Sequence, residues 1–301
     1  MKTVKIRAII VIVIFFIINA CTTKTNQMDF DSQGHRGFRG KYPENTIQGF
    51  MKAIDTGVKT LEMDVVVTKD NQLIVSHEPY FSDEICVNFD GSDLENYSKE
   101  KYNIYSMTYD EVQKYDCGSK VHPRFPEQEK FRVVKPLLEE VIETSESYSM
   151  QNYSKELFYN IEIKSLPEGD SVFHPAPYQF AELLINKIKE LDIDDRTYIQ
   201  SFDKRALQAV KSIDPEIKTV LLVENIRGYK ANIEELGFNP DVYSPEHTFV
   251  TKRMIGDLHK DGIKVIPWTV NESSEMKKLI EMGVDGIISD FPDILMEVLN
   301  K

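Results

Sequence analysis

The chain has few cysteines, few cations relative to its acids, and no long apolar run. Three cysteines among 301 residues are too few for a scaffold built on several disulfides. Lysine and arginine number 36 against 49 aspartates and glutamates, so the formal net charge is −13. This balance argues against a nucleic-acid-binding protein, because such proteins need a basic face. An anionic substrate would have to be met by a local cation or a metal ion.

The apolar run at the start, residues 8–18, is shorter than the roughly 20 residues that cross a bilayer. It follows three cations (Lys2, Lys5 and Arg7), as in a secretory signal, which we favour over a membrane helix. The letters Ile18-Asn19-Ala20-Cys21 resemble a bacterial lipobox, in which the cysteine is lipidated. We predict a signal peptide over 1–20, a linker over 21–29, and anchoring through Cys21 in the bacterial cell envelope, on its periplasmic or outer face. Plain secretion is the alternative.

Cys86 and Cys117 are the other two cysteines, an even pair in a compartment where oxidation is possible. The sequence cannot place their Cα atoms within bridging distance, so a disulfide and two unpaired thiols both remain open, with unpaired thiols slightly favoured.

After residue 29, short apolar runs alternate with helical patterns, which favours a parallel sheet. Eight strands, each followed by a helix candidate, match a (β/α)₈ barrel of the TIM type over 30–300 better than an open sheet. The predicted strands are Phe30–Gly34, Thr60–Val66, Leu157–Ile163, Thr197–Ser201, Lys218–Leu222, Asp241–Ser244, Lys264–Trp268 and Gly286–Ser289. Helices are predicted over Thr46–Thr56 and Ser273–Met282, each closed by a glycine. The polar stretch 78–134 breaks the rhythm, and we interpret it as an inserted subdomain over one mouth of the barrel.

Carboxylates alternate with apolar residues on two of the predicted strands. Glu62 and Asp64 share one strand face, and Glu162 shares a face of another strand with Lys164. In a barrel these acids would point inward, where an unpaired charge is costly. Three carboxylates suit a hard cation, Ca²⁺ or Mg²⁺, whereas salt bridges to Arg36 or Lys164 would be the alternative arrangement.

Two histidines, one arginine and the single tryptophan lie at the ends of strand-like runs. Imidazole suits proton transfer near neutral pH, so His35 and His77 could act as acid and base, although strand-end histidines are more often structural. Arg36 offers a donor fork for phosphate oxygens or a partner for the acids. Trp268 either packs in the core or walls the substrate at the mouth where barrel active sites lie.

These pieces occur in a particular order along the chain. They are Gly34-His35-Arg36-Gly37, Pro43-Glu44-Asn45-Thr46, Glu62-Met63-Asp64, Val75-Ser76-His77, Asn160-Ile161-Glu162-Ile163-Lys164, Trp268-Thr269-Val270-Asn271 and Gly283-Val284-Asp285-Gly286-Ile287-Ile288-Ser289-Asp290. Together they resemble the glycerophosphodiester phosphodiesterase family, over about residues 30–299. Glu78 departs from the family pattern, in which aspartate often follows this histidine.

The resemblance implies a TIM-type barrel, one divalent cation, and hydrolysis of glycerophosphodiesters, such as glycerophosphocholine or glycerophosphoethanolamine, to sn-glycerol 3-phosphate and an alcohol. It implies roles in three groups: metal ligands Glu62, Asp64 and Glu162, catalytic histidines His35 and His77, and phosphate contacts Arg36 and Lys164. Trp268 would line the substrate site. Asn45 is interpreted as mainly structural, since Asn45 or Thr46 could cap the following helix, and Glu44 would orient Arg36 or Lys164 or favour the helix start. His122, His174, His247 and His259 match no motif and are expected to be ordinary surface or insertion residues.

Two other classes remain open. A lysophospholipase D, or a phospholipase C-like phosphodiesterase on the same barrel, would need an exposed apolar rim for an acyl chain. The tyrosines and acids of 78–134 favour a cover for polar headgroups instead. A binding protein without turnover is the third class, against which the intact histidines and acids argue. The expected partners are a small glycerophosphodiester and, through the lipid anchor only, a membrane.

Overall fold

The computed structural model describes residues 30–301, so the predicted signal peptide, linker and Cys21 lie outside the described residues. The eleven strands of the described part are β1 (Asp31–Gly34), β2 (Thr60–Val67), β3 (Leu73–Val75), β4 (Val87–Asn88), β5 (Tyr115–Asp116), β6 (Phe158–Ile163), β7 (Thr197–Ser201), β8 (Lys218–Val223), β9 (Val242–Pro245), β10 (Lys264–Val265) and β11 (Gly286–Ser289). Its α-helices are α1 (Ile47–Thr56), α2 (Tyr109–Val112), α3 (Leu138–Tyr153), α4 (Pro177–Glu190), α5 (Lys204–Ile213), α6 (Tyr229–Leu236), α7 (Lys252–Lys260), α8 (Ser273–Met282) and α9 (Pro292–Leu299).

Eight parallel strands form the barrel, in the order β10-β9-β8-β7-β6-β2-β1-β11. The two ends of this order are joined by backbone hydrogen bonds from Asp285 N to Val265 O (2.9 Å) and from Ile288 N to Pro267 O (3.0 Å). The predicted TIM-type barrel is therefore confirmed. The seventh predicted strand, Lys264–Trp268, is shorter in the structure, where β10 covers only Lys264–Val265. Pro267 has no N–H with which to continue the hydrogen-bond ladder.

Apolar and polar side chains alternate along β2 and β6, so that each strand has one face toward the helices and one toward the barrel interior, as predicted. Leu61, Met63 and Val65 are fully buried with Phe50 and Ala53 of α1 in the layer between strands and helices. Burying such side chains stabilises the fold by about 1.5–3 kcal/mol each. The opposite strand face carries the carboxylates into the barrel.

Local signals set the ends of the first and eighth helices. Thr46 caps α1 by accepting a hydrogen bond from Gly49 N (3.1 Å), and Gly57 ends the helix with φ +91°. Gly283 ends α8 with φ +94°. Both helices thus lie where the sequence predicts them, with Thr46 outside α1 as its cap.

Between β3 and α3 the chain packs Phe81, Ile104 and Val112 into a small apolar cluster that also contains Val66 of β2 and Ile74 of β3. Antiparallel strands β4 and β5 lie in this segment, and β3 itself pairs antiparallel with β2. Cys86 and Cys117 form a disulfide here, with Cα atoms 4.1 Å apart. The slight preference for unpaired thiols was therefore wrong, because strand pairing brings together two cysteines that are 31 residues apart.

Across residues 30–301, every helix is too short or too polar to traverse a bilayer.

Candidate active site

Three buried carboxylates meet at the carboxyl ends of β2 and β6. Each of Glu62, Asp64 and Glu162 offers an oxygen within 4.8 Å of the oxygens of the other two. They come together because β2 and β6 pair in register, with Asp64 opposite Glu162 and both acids pointing into the barrel. The structure thus assembles the predicted ligand set from residues a hundred positions apart in the chain.

A polar layer inside the barrel supports the Glu62 carboxylate from below. Gln200 Nε2 donates to Glu62 Oε1 (2.6 Å), and the Gln200 oxygen accepts from Asn160 Nδ2 (3.0 Å). Asn160 Nδ2 also lies 2.9 Å from the side-chain oxygen of Gln33. The hydrogen bond from Gln200, itself held by Asn160, orients the Glu62 carboxylate.

Asn45 orients the Asp64 carboxylate in the same way, through a hydrogen bond. Its Nδ2 donates to Asp64 Oδ2 (2.8 Å), and its left-handed backbone (φ +57°) turns the side chain toward β2. Asn45 therefore holds a site carboxylate, while Thr46 caps the helix.

Burial and mutual repulsion act on the protonation of the three acids. Burial, together with the charge of Asp64, raises the pKa of Glu62 well above its ordinary value. Burial likewise raises the pKa of Glu162 to about 7. Burial would also raise the pKa of Asp64, but the Arg36 guanidinium, with His77 and Lys164, outweighs it and holds that pKa below its usual range.

This donor set fits a hard divalent cation. Carboxylate oxygens are the ligands that Ca²⁺ and Mg²⁺ prefer, and Asp64 Oδ1 is a buried oxygen without a hydrogen-bond partner. A cation between the three acids would relieve their repulsion and satisfy that oxygen. Sequence and structure therefore agree on residues that could hold a metal.

Both predicted histidines reach the same cavity, each held by a carboxylate. His35 Nδ1 lies 2.6 Å from Asp290 Oδ1, and His77 Nδ1 lies 2.8 Å from Glu78 Oε1. Although burial opposes it, the bond with its histidine lowers the pKa of each acid to about 2. An ionised acceptor keeps the proton on Nδ1, which leaves Nε2 of each ring free for chemistry. Glu78 thus supports His77 despite standing in place of the family's aspartate.

Burial disfavours the charged form of both imidazoles. Burial lowers the pKa of His35, against the opposing effect of Asp290. Burial also lowers the pKa of His77, helped by the positive charges of Lys164 and Arg36. A neutral Nε2 is the form that accepts a proton from a hydroxyl or water.

Arg36 lies between the carboxylates and the first loop, at 8% exposure. Its NH1 donates to Glu44 Oε1 (3.0 Å), its Nε lies 3.3 Å from Asp64 Oδ2, and its backbone N donates to Glu62 Oε2 (2.8 Å). Glu44 thus orients Arg36, which is one of the roles that the sequence analysis offers for it. Glu44 also meets Arg39, whose Nε lies 2.6 Å from Glu44 Oε2.

Lys164 stands at the edge of the triad. Its Nζ donates to Glu162 Oε1 (2.8 Å) and lies 3.7 Å from Asp64 Oδ1. These acids raise the pKa of Lys164 although burial opposes the shift, so the ammonium is charged at neutral pH.

A cavity of about 260 Å³ connects these groups. His35, Arg36, His77, Glu62 and Glu162 line it. Trp268 forms part of its wall, fixed by a hydrogen bond from Nε1 to Ser244 O (2.9 Å) and by an edge contact with Phe202. The tryptophan is at the mouth, where the sequence predicts it.

A second cavity, of about 660 Å³, adjoins the first. Four residues line both cavities: His77, Glu162, Phe202 and Leu222. Further apolar side chains, Leu166, Phe173 and Val223, line only the larger one. The acidic centre thus has a small polar chamber on one side and a larger, more apolar chamber on the other.

Several site residues were missed by the sequence reasoning. Asp290 belongs to a quoted motif but received no role. Gln200 follows the apolar Ile199 on β7, and this change from apolar to polar could have indicated an inward polar side chain. Arg39 and Arg124 also line the smaller cavity, and neither had a local signal.

The remaining histidines behave differently from one another. His174 is buried and bonded to Leu166 and Pro175 backbone atoms, so the expectation of a surface residue was wrong for it. His122 is a buried residue of the 78–134 segment, 3.9 Å from Glu44. His247 and His259 are partly exposed, as expected.

Active sites of parallel (β/α)₈ barrels lie at this mouth, and carboxylates that could hold a metal beside imidazoles and cations are suited to the hydrolysis of phosphate esters. A sequence model of the Glycerophosphoryl diester phosphodiesterase family matches residues 35–294, so the chain belongs to that family. It is an enzyme, a phosphoric diester hydrolase on a TIM barrel.

Individual relatives agree with this assignment. A glycerophosphodiester phosphodiesterase of Caldanaerobacter subterraneus is 30% identical over 89% of this chain and 96% of its own. A lysophospholipase D of Rattus norvegicus is 28% identical over 89% of this chain and 85% of its own.

Solved structures share the fold. A putative glycerophosphoryl diester phosphodiesterase from Silicibacter pomeroyi superposes with a TM-score of 0.79 at 26% identity, over 90% of this chain and 93% of its own. A phosphodiesterase from Oleispira antarctica, solved with the product sn-glycerol-3-phosphate, superposes with a TM-score of 0.71 at 23% identity, over 90% and 97%.

Proposed function

We propose that the enzyme hydrolyses glycerophosphodiesters such as glycerophosphocholine and glycerophosphoethanolamine to sn-glycerol 3-phosphate and an alcohol. The observation that carries this proposal is a cluster of three carboxylates, two of which line one cavity together with two carboxylate-held imidazoles. Glu62, Asp64 and Glu162 would hold one divalent cation, Ca²⁺ or Mg²⁺. When bound, it would neutralise charge on the phosphoryl oxygens as a Lewis acid.

The chain's own residues cover the other requirements of the reaction. Arg36 and Lys164 would bind the non-bridging phosphate oxygens, whose negative charge grows in the transition state. Nε2 of one histidine removes a proton from the glycerol 2-hydroxyl or from water. The other histidine must be protonated at Nε2 when the substrate binds, and it delivers that proton to the departing alcohol, so one histidine gains the proton that the other gives up. Asp290 and Glu78 keep each ring oriented while its charge changes.

The test is release of glycerol 3-phosphate from glycerophosphocholine by residues 22–301, first with chelator and then with Ca²⁺ or Mg²⁺ restored. Activity should vanish with chelator and return with one of the cations. His77→Ala should lower turnover by about 10²–10⁴-fold, whereas His259→Ala, at a partly exposed histidine remote from the cavity, should not. No product from folded protein with any cation would reject the proposal.

A lysophospholipase D activity is the second candidate, favoured by the larger cavity. An acyl chain on the glycerol could run along Phe173, Leu222 and Val223, since this cavity meets the smaller one at His77 and Glu162. Loops on this face also expose apolar side chains, Leu166 at 57% and Ile226 at 91%. The loops after β6 and β8 thus provide an exposed apolar rim. This rim was not predicted from the sequence, because only the polar segment 78–134 was considered.

Choline released from lysophosphatidylcholine tests this second activity. Phe173→Asp should lower kcat/KM for lysophosphatidylcholine more than for glycerophosphocholine, because Phe173 lines only the larger cavity. Choline release from glycerophosphocholine alone would reject the second candidate and leave the first intact.

We also propose that Cys21 is lipidated and holds the enzyme at the bacterial cell envelope, facing the periplasm or the outside. The basic start, the apolar stretch 8–18 and the lipobox-like letters before Cys21 support this proposal. Glycerol 3-phosphate released there would serve as a source of carbon and phosphate.

A further inference from the structure

The smaller cavity is lined by two arginines that have no role in the proposed reaction. Arg39 and Arg124 line it together with Arg36. Arg39 is 7% exposed, whereas Arg124 is exposed at the mouth. Their guanidinium carbons lie 5.2 and 5.5 Å from the centre of the same ring, that of Phe125. Both cations therefore lie close to the Phe125 ring.

The segment around Phe125 is fastened to the loop after β1. Gln128 Nε2 donates to Tyr42 O (3.0 Å), and Glu129 N donates to Lys41 O (2.8 Å). Phe125 also makes an edge contact with Phe291, and Arg124 N donates to His122 Nδ1 (3.0 Å). These contacts hold Arg124 at the cavity by its backbone and neighbours, so its placement does not depend on an acidic partner.

The three arginines of this wall differ in their acidic partners. Glu44 contacts both Arg36 and Arg39, Asp64 Oδ2 lies 3.3 Å from Arg36 Nε, and Asp290 Oδ1 lies 3.9 Å from Arg39 Nη1. Arg124 makes no ion pair in the described part of the chain, and Glu246, another acid of this wall, contacts His247 and Thr248. Arg124 is therefore a cation at the cavity wall that an anionic group of the substrate can meet, on a protein whose formal net charge is −13.

We propose that Arg39 and Arg124 form a second anion subsite. It favours substrates whose glycerol half lies in the smaller cavity, in the orientation opposite to that of the lysophospholipase D candidate, and carries a further phosphate group. The inference rests on the proposed function, because the catalytic centre must bind the first phosphate. Paired guanidinium groups match phosphate oxygens with several charge-assisted hydrogen bonds, each stronger than a neutral one. The subsite would select among glycerophosphodiesters, while the chemistry stays with the triad and the histidines.

Calorimetry with two product-like probes tests the subsite without needing turnover. Glycerol 3-phosphate offers one phosphate, and glycerol 1,3-bisphosphate offers a second at the far end of the same glycerol. With Mg²⁺ in excess, the bisphosphate should bind roughly tenfold or more tightly than the monophosphate, as expected for added charge-assisted hydrogen bonds. Arg124→Gln should reduce this ratio toward one, and Arg124→Lys should restore part of it.

Arg253→Gln is the matched control, because Arg253 is an exposed arginine on α7 outside both cavities. It should leave the ratio unchanged, which separates the subsite from a general effect of net charge. Equal affinities of the wild type for the two probes, or an unchanged ratio in Arg124→Gln, would overturn the inference. Turnover of glycerophosphocholine, measured in parallel, separates this failure from a failure of the proposed function.

Discussion

At the scale of single residues, the site depends on side chains that hold other side chains. Asn45 and Gln200 orient the carboxylates, and Asp290 and Glu78 orient the imidazoles. Such supporting contacts fix the protonation state and direction of a group before substrate arrives. Their loss should show in stability or in ligand binding as well as in rate.

Glu162→Gln should weaken Ca²⁺ or Mg²⁺ binding by at least tenfold, because an amide replaces one of three charged ligands. Calorimetry on the folded, metal-free protein measures this directly. Glu168→Gln is the control, since Glu168 lines the larger cavity but is not part of the triad. Equal affinities in Glu162→Gln and wild type would remove Glu162 from the ligand set.

Asp290→Asn should destabilise the protein by about 2 kcal/mol at pH 7. The folded-state pKa of Asp290 is about 2, below the ordinary 3.8, so the ionised form is favoured by folding. This contribution is complete above pH 5 and is lost as the pH falls from 3.8 through 2. Urea unfolding at several pH values should therefore show the difference between wild type and variant shrinking in acid.

A difference in unfolding free energy that stays constant from pH 7 to pH 3 would contradict this account. Asp293→Asn provides the comparison, because Asp293 pairs with Lys41 at the surface, and such pairs contribute about 0–1 kcal/mol.

At the scale of elements, the loop after β1 must pass close to α1 to place His35 and Arg36. Gly37 makes this approach possible with a left-handed backbone, φ +82°, and a Cβ there would lie 2.8 Å from Gly49 C. The obstacle is helix backbone, which cannot move aside as a flexible side chain would. Local sequence therefore determines how the first loop presents its imidazole and guanidinium.

Gly37→Ala should destabilise the protein by about 2–4 kcal/mol, of which about 1–2 kcal/mol is backbone strain and the rest is the clash. Gly57→Ala is a matched control, since Gly57 has φ +91° but its Cβ would meet only Met296 Cε, at 3.7 Å. It should cost the strain alone. Equal losses in the two variants, measured by urea unfolding, would show that the approach to α1 is not tight.

At the scale of the whole molecule, an acidic protein concentrates cations at two adjoining cavities. Arg36, Arg39 and Arg124 line the smaller cavity and Lys164 lines the larger one, although acids outnumber cations in the chain as a whole. Net charge therefore does not describe the field that a substrate meets inside the mouth, where buried charges are poorly screened. A membrane anchor would place that mouth near its supply of substrate.

Cys21→Ser should abolish incorporation of a labelled fatty acid and release the enzyme into the soluble fraction of a bacterial host. Labelling with a palmitate analogue, followed by detergent phase partition, measures both effects. Cys86→Ser with Cys117→Ser is the control, because it removes the other cysteines and should keep the label. Labelling that persists in Cys21→Ser would contradict the lipobox interpretation.

Much of the barrel could be predicted because its signals are local. The alternation of Glu62 and Asp64 with Leu61, Met63 and Val65 identified both the strand and its inward face. Gly57 and Gly283 marked the ends of two helices, because glycine readily adopts the left-handed backbone conformation found there. Pro267 was the local signal that was overlooked, and the predicted strand there extends too far.

The sequence by itself determined the strand and helix periods, the residue types of the acidic triad, and a family pattern strong enough to imply an activity. Only the tertiary structure decided that Asp290 holds His35, that Cys86 pairs with Cys117, that Arg39 and Arg124 share Phe125, and that a second cavity adjoins the first. The physical reason is distance along the chain. His35 and Asp290 are 255 residues apart and meet only because the last strand closes the barrel against the first.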